Sequence, residues 1–222
     1  ESGAEFDPDA YIGSVKGYYT STDGDMLSLP FNSSTPVLWV NRDAMAAAGV
    51  DPDTDLSTWQ NVGATLDALK AGGEECPLVT AWQSWIHLEN FSAYHDVPFA
   101  TKSNGFDGTD TELAFNSAAQ VAHISAMGEW AKDGKFIYAG RRNEGGANFR
   151  AGECALFTES SAGYAGIKSE AQFDFEVRPL PYWTAVASEK QNTIIGGASL
   201  WVMEGQTDEE YAGVAAFLDF LS

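Results

Sequence analysis

The chain has 222 residues, 44% of them apolar and 13% aromatic, which is ample for a packed core and too apolar for a disordered segment. Acidic residues outnumber basic ones 32 to 12, and the formal charge of −20 repels phosphodiester backbones and anionic headgroups. Nucleic acid and membrane surfaces are therefore not expected partners, and no apolar run approaches the ~18 residues of a membrane span.

Strand and helix signals alternate along the chain. Met26–Leu29 and Val37–Val40 read as strands, separated by a loop at Asn32-Ser33-Ser34-Thr35-Pro36. Asn41 is placed to cap a short helix over Arg42–Ala48, ended by Gly49. Ser57 or Thr58 caps the next helix, whose Leu66 and Leu69 face inward and whose stop is Gly72-Gly73. A short strand over Pro77–Thr80 leads to an aromatic helix spanning Trp82–Tyr94.

Leu113–Phe115 reads as extended. Ser117 then caps a long helix in which Val121, Ile124, Met127 and Trp130 recur at helical spacing, with a stop at Gly134. A helix over Asn143–Ala151 precedes a strand over Cys154–Thr158, after which Ser160 or Ser161 caps another helix. Phe173–Val177 is a strand, Pro179–Pro181 a turn, Ile194–Met203 a buried strand with a Gly-Gly-Ala-Ser centre, and a final helix starts at Thr207. This alternation is the pattern of an α/β fold.

Three segments offer small donors at strand ends: the Ser34 loop, the Ser160 loop and Gly196-Gly197. A serine at a helix start places backbone N–H groups and a hydroxyl at one point, which suits a phosphate or carboxylate. Side-chain-free glycines let a ligand approach the backbone, although a β-bulge or a tight strand contact explains them equally simply. Trp82, Trp85 and Glu89 fall at i, i+3 and i+7, on one face of a helix. Trp82, nearer the strand end, is the ring expected to face a polyol or sugar, and Trp85 is expected in the core.

Catalytic signals are thin. His87, His95 and His123 accompany no nucleophile elbow and no His-Glu-x-x-His motif. Glu89, Asp107 and Glu159 are carboxylates without a spacing that selects them as a glycosidase pair, and each reads as solvated or capping. Asn104–Asp110 has the composition of a calcium loop but lacks its ligand spacing and closing Glu, so it reads as a turn. Cys76 and Cys154 lack metal-ligand spacing, so neither a metal nor another cofactor is expected. They are equally compatible with two buried thiols or with one disulfide, worth roughly 4.5 kcal/mol in the chain-entropy model.

Four stretches carry a resemblance: Phe31-Asn-Ser-Ser-Thr-Pro-Val-Leu, Trp82-Gln-x-Trp-Ile-x-Leu-Glu-Asn-Phe-Ser-Ala, Asn104-Gly-Phe-Asp-Gly-Thr-Asp and Ile194-Ile-Gly-Gly-Ala-Ser-Leu-Trp-Val-Met. They resemble the periplasmic glycerol-3-phosphate-binding receptors of ABC importers, within the extracellular solute-binding proteins. The resemblance runs nearly end to end and implies a type II periplasmic-binding-protein fold of two α/β lobes that close on ligand. Such receptors are about twice this long, so residues 1–222 correspond to a central portion, incomplete at both ends, whose lobe boundaries the sequence does not place.

The resemblance implies that Ser34, Trp82, Ser160 and Gly197 line a ligand site with Trp85 close by. It implies no catalysis, a monomer, a periplasmic location, and ABC transporter membrane subunits as partners. The implied ligand is glycerol-3-phosphate or a glycerophosphodiester, with a sugar or oligosaccharide as the alternative. It also implies that the Tyr and acidic residue contacting the glycerol hydroxyls, and the Tyr and Arg contacting the phosphate, lie outside these residues. A periplasmic address favours a disulfide between Cys76 and Cys154.

Overall fold

The computed structural model describes residues 7–221. They form two compact units, with the chain passing from one to the other between Ser34 and Thr35 and again between Ile194 and Ile195.

The larger unit, Thr35–Ile194, is built on a five-stranded sheet. Its strands are β2 (Pro36–Asn41), β3 (Leu78–Thr80), β4 (Phe136–Ile137), β5 (Leu156–Ser160) and β6 (Phe175–Arg178), in the order β4-β3-β5-β2-β6. β3 runs parallel to β4 and β5, whereas β2 is antiparallel to β5 and β6. The strands are short, and the central ones, β2, β3 and the start of β5, are buried and apolar on both faces, as befits a sheet covered on both sides.

The period of two along each strand divides the core. Leu38, Val40, Leu78 and Leu156 face one layer, with Val62, Leu66 and Leu69 of the helix Trp59–Ala71 and Met127 of the helix Ala118–Lys132. Trp39, Val79 and Phe157 face the other, with Phe149 of the helix Gly145–Arg150 and Ile167 of the helix Tyr164–Glu170. Burying each such side chain contributes about 1.5–3 kcal/mol. Cys76 and Cys154 precede the adjacent strands β3 and β5 and are joined in a disulfide, with Cα atoms 4.5 Å apart at a sequence separation of 78.

Locally coded helix ends agree with the sequence expectations. Asn41 Oδ1 accepts from Ala44 N–H at 2.9 Å, and Thr58 Oγ1 accepts from Asn61 N–H at 3.2 Å. The helix beginning at Ala118 has Gln120 Oε1 accepting from Ser117 N–H at 2.9 Å.

Other expectations need correction. The aromatic helix does not include Trp82: that residue has φ +48°, and the helix beyond it passes through a π-helical stretch, Trp85–Asn90, before Phe91–Tyr94. An i, i+3, i+7 face therefore does not describe Trp82, Trp85 and Glu89. In the helix Ala118–Lys132 the buried positions are Gln120, His123 and Met127, while Val121 and Ile124 are exposed. The apolar periodicity was outcompeted by a polar network that buries Gln120 and His123. The extended segment Leu113–Phe115 is as expected short, pairing only through an antiparallel bridge from Leu113 to Ala100. The strand expected at 154–158 runs from Leu156 to Ser160, and that expected at 173–177 from Phe175 to Arg178, because pairing with β2 sets their limits.

The smaller unit pairs β1 (Leu29–Ser34) antiparallel with β7 (Gly196–Leu200) and carries the helices Gly13–Tyr18 and Asp208–Leu221. The expected strand at Met26–Leu29 is displaced: Met26 makes only a bridge to Thr20, and the strand proper runs through Asn32-Ser33-Ser34. Those polar residues extend because β7 supplies their backbone partners, with Ser33 opposite Gly197 and Ser34 opposite Gly196. β7 is half-buried to exposed, not the buried strand that its flanking apolar residues imply.

Candidate ligand-binding site

The expected ligand residues divide between the units. Trp82, Trp85 and Ser160 lie in the larger unit, and Ser34 and Gly197 in the smaller.

In the larger unit, Ala81 N–H donates to Thr158 O at 2.9 Å, which sets the end of β3 beside the end of β5. The chain then turns sharply at Trp82, whose backbone N–H donates to Arg142 O at 2.9 Å. A positive φ at a bulky residue costs of order 1–3 kcal/mol and persists only where the surroundings enforce it. The turn leaves Trp82 37% exposed. Trp85, three residues on, is half-buried against the core. An exposed indole at a strand end can cover the C–H face of a polyol, which Trp85 is too enclosed to do.

Ser160 ends β5 and caps a 3₁₀ turn, Ser161–Gly163. Its Oγ accepts from Ala162 N–H at 3.1 Å, and its own N–H donates to Glu159 Oε1 at 2.6 Å. Ser161 N–H donates to Thr35 O at 2.8 Å. The cluster of unclaimed backbone N–H groups expected at this helix start is thus absent: these donors are already used within the fold. What Ser160 retains for a ligand is its hydroxyl hydrogen, a neutral donor.

Glu159, expected to be solvated or capping, is 2% exposed. Burial pushes its carboxyl up to about 7, against the opposing pull of Ser160 N–H, the Trp82 indole and the Arg150 charge. Sequence reading passed over it, although the period of two from Phe157 places it on the same buried face. Glu89 and Asp107 are exposed and remain ordinary surface carboxylates.

In the smaller unit, Gly197 has φ +133°, and a Cβ there would lie 2.1 Å from Asn32 O. Close strand approach alone therefore demands glycine at this position. Its exposure, and that of Ser33 opposite, leaves the polar end of this strand pair open to solvent.

The three histidines, which showed no sequence pattern, form a buried polar network on the opposite face of the sheet from Glu159. His87 lies 3.0 Å from Thr80 Oγ1, 3.1 Å from Thr158 Oγ1 and 3.2 Å from His123. Trp183 binds His95 through its backbone N–H and His123 through its indole, both at 2.9 Å. The Asn104–Asp110 turn is closed by Asn104 Oδ1, which accepts from Phe99 and Ala100 N–H at 2.9 Å, and by a Lys102–Asp110 ion pair. Among the described residues no cluster of His, Cys, Asp or Glu could hold a metal ion.

The family model for bacterial extracellular solute-binding proteins matches residues 4–222. The chain belongs to this family. It is 49% identical over its whole length to the sn-glycerol-3-phosphate-binding periplasmic protein UgpB of Escherichia coli K12, and 48% identical to that of Salmonella typhimurium. It covers 51% of each, so the chain spans about half the length of the curated relatives that it matches. Among solved structures, UgpB of Mycobacterium tuberculosis in complex with glycerophosphocholine superposes with a TM-score of 0.78 at 22% identity, over 99% of this chain and 54% of that one. The cyclic α-maltosyl-1,6-maltose binding protein of Arthrobacter globiformis does so with a TM-score of 0.75 at 20% identity, over 99% and 54%. At such identities these likenesses establish the solute-binding-protein fold alone.

Proposed function

We propose that this chain forms the central part of a periplasmic receptor that binds sn-glycerol-3-phosphate or a glycerophosphodiester and delivers it to the membrane subunits of an ABC transporter. The observation that carries the reading is the 49% identity, across all of this chain, to a protein named for binding sn-glycerol-3-phosphate. The receptor acts as a monomer by binding and closure of two lobes, and makes or breaks no bond. In this reading Trp82 covers the glycerol carbons, the Ser160 hydroxyl donates to a ligand oxygen, and Ser34 and the Gly197 N–H supply further donors from the smaller unit. Trp85 backs the site from the core.

The ligand is an anion and the chain carries a formal charge of −20, so capture depends on local donors rather than on the long-range field. Neutral hydroxyl and backbone donors are modest alone, and full affinity calls on residues outside this chain, including a cationic fork. Residues 1–222 alone are accordingly expected to bind weakly.

Calorimetric titration of the full-length protein with sn-glycerol-3-phosphate, glycerophosphocholine and maltose tests the assignment. Saturable binding of a phosphate ligand, weakened at least tenfold by Trp82→Ala or Ser160→Ala, is the expected result. Binding of maltose alone would transfer the protein to the sugar receptors, and binding of none of the three would remove the ligand assignment.

A further inference from the structure

The chain passes between the two units twice, and both passages are short. Only Thr35 separates Ser34, the last residue of β1, from Pro36, the first of β2. On the return, Ile194 N–H donates to Asn90 Oδ1 at 2.9 Å, and only Ile195 separates Ile194 from the start of β7 at Gly196. Ser34 and Gly196 are partners in the β1–β7 ladder, so the two passages leave the smaller unit side by side.

Side chains of the larger unit hold both passages. Thr35 and Ser161 stand one step beyond the last β2–β5 pair, Pro36 with Ser160, where an antiparallel ladder would exchange two backbone bonds. One of these forms, from Ser161 N–H to Thr35 O at 2.8 Å. The other is replaced. Ser161 O turns into the 3₁₀ turn and accepts from Tyr164 N–H, and Thr35 N–H donates instead to Ser161 Oγ at 3.1 Å. Pro36 further restricts Thr35 to extended backbone. At the other passage Ile194 lies outside any strand, and Asn90, 1% exposed, reaches it from the last position of the π-helical stretch. Just upstream, Gln191 N–H donates to Tyr94 O at 2.9 Å, so the same helix holds this segment twice.

We propose that Ser161 and Asn90 are hinge-positioning residues: they fasten Thr35 and Ile194 to the larger unit, so that movement of one unit against the other is confined to the Ser34–Thr35 link and to Ile195. These two residues also adjoin the candidate ligand residues. Ser161 follows Ser160 directly, and Asn90 ends the π-helical stretch that Trp85 begins. A ligand on Ser160 and Trp82 thus bears on the segments that hold both passages. This coupling rests on the receptor reading above; the confinement of the hinge does not. Without Ser161 Oγ or Asn90 Oδ1, closure must order more chain, and ligand binding weakens.

The test uses the full-length protein, spin-labelled at Glu129→Cys in the larger unit and Glu209→Cys in the smaller, the native cysteines being joined to each other. In the ligand-free protein Ser161→Ala should broaden the distribution of distances between the labels, and Ser161→Thr, which keeps the hydroxyl, should preserve the parent's width. Asn90→Ala should broaden it likewise; the half-buried Ser161 carries the test alone if that variant does not fold. Amide exchange at Thr35 should become about tenfold faster in Ser161→Ala, as loss of one hydrogen bond implies, with Leu38–Val40 unchanged. An unchanged distance distribution, or acceleration spread equally through Leu38–Val40, overturns the proposal whether or not any ligand binds. In calorimetry, Ser161→Ala should weaken the binding of sn-glycerol-3-phosphate by about threefold or more, with Ser161→Thr close to the parent. Undiminished binding in a variant whose distribution has broadened overturns the coupling to ligand. A parent that binds neither this ligand nor glycerophosphocholine, yet broadens as expected in Ser161→Ala, would fail the receptor reading and leave the hinge assignment standing.

Discussion

The indole N–H of Trp183 donates to Nδ1 of His123 at 2.9 Å, and this bond sets the protonation of a whole network. An indole nitrogen can only donate, so His123 Nδ1 is an acceptor and its Nε2 carries hydrogen toward His87 Nδ1, 3.2 Å away. His87 Nε2 is then the donor to the hydroxyls of Thr80 and Thr158 at 3.0 and 3.1 Å. The Trp183 backbone N–H likewise makes His95 Nε2 an acceptor at 2.9 Å, and His95 Nδ1–H donates to Phe91 O at 2.8 Å. Every ring nitrogen is used, each ring is neutral, and no imidazole is left for proton transfer.

Acid should therefore weaken the larger unit. Burial pushes His87 down to about 4 from an ordinary 6.5. The unfolded chain takes up this proton near 6.5 and the folded chain only near 4, so stability falls as pH drops through that window. The loss from His87 alone reaches roughly 3 kcal/mol at the acid end. Denaturant unfolding at pH 7.5, 5.5 and 4.0 should show the decline, and a His87→Asn variant should show a shallower one. Equal slopes would contradict the neutral, buried assignment.

Glu159 has the opposite sign. Its folded value is raised to about 7 from 4.5, so its contribution is fully present below 4.5 and lost as pH rises through about 7. Glu159→Gln should thus be no more stable than the parent at pH 4.5 and gain on it by up to roughly 3 kcal/mol by pH 8. Thermal melts at the two pH values measure the crossover; a Gln variant that loses ground as pH rises would rule out the raised value.

The Cys76–Cys154 disulfide ties the starts of β3 and β5, across 78 positions of sequence. Replacing both cysteines by serine should cost about 2–5 kcal/mol, chiefly by releasing the unfolded chain. Unfolding midpoints with and without reductant should differ for the parent and coincide for the double variant.

Gly197→Ala should damage the smaller unit specifically. The substitution combines φ +133° with a Cβ placed 2.1 Å from Asn32 O, so the strands must separate or shift. A loss of about 2 kcal/mol or more in the pairing of β1 with β7 is expected. Amide exchange should accelerate along Leu29–Ser34 and Gly196–Leu200 while Leu38–Val40 stays protected. Unchanged exchange in β1 would show that the strand pair tolerates a side chain there.

The sequence by itself determined what depends on neighbours within a turn or two. The caps at Asn41 and Thr58, the glycine stops, the inward Leu66 and Leu69 and the apolar strands β2, β3 and β5 are all written in local chemistry, and the family is legible in contiguous motifs. Tertiary structure decided whatever required a partner far along the chain. Asn32-Ser33-Ser34 is strand because β7 lies beside it, although its residues favour a turn. Gln120 and His123 are buried in place of Val121 and Ile124 because Ser92, His87 and Trp183 converge on them with hydrogen bonds. Trp82 leaves the helix at φ +48° with its backbone N–H taken by Arg142 O, and Ser160 keeps only a hydroxyl because Glu159 and Thr35 take the neighbouring N–H groups. A hydrogen bond between distant residues leaves no periodicity in sequence, and those are the bonds that shape the candidate site.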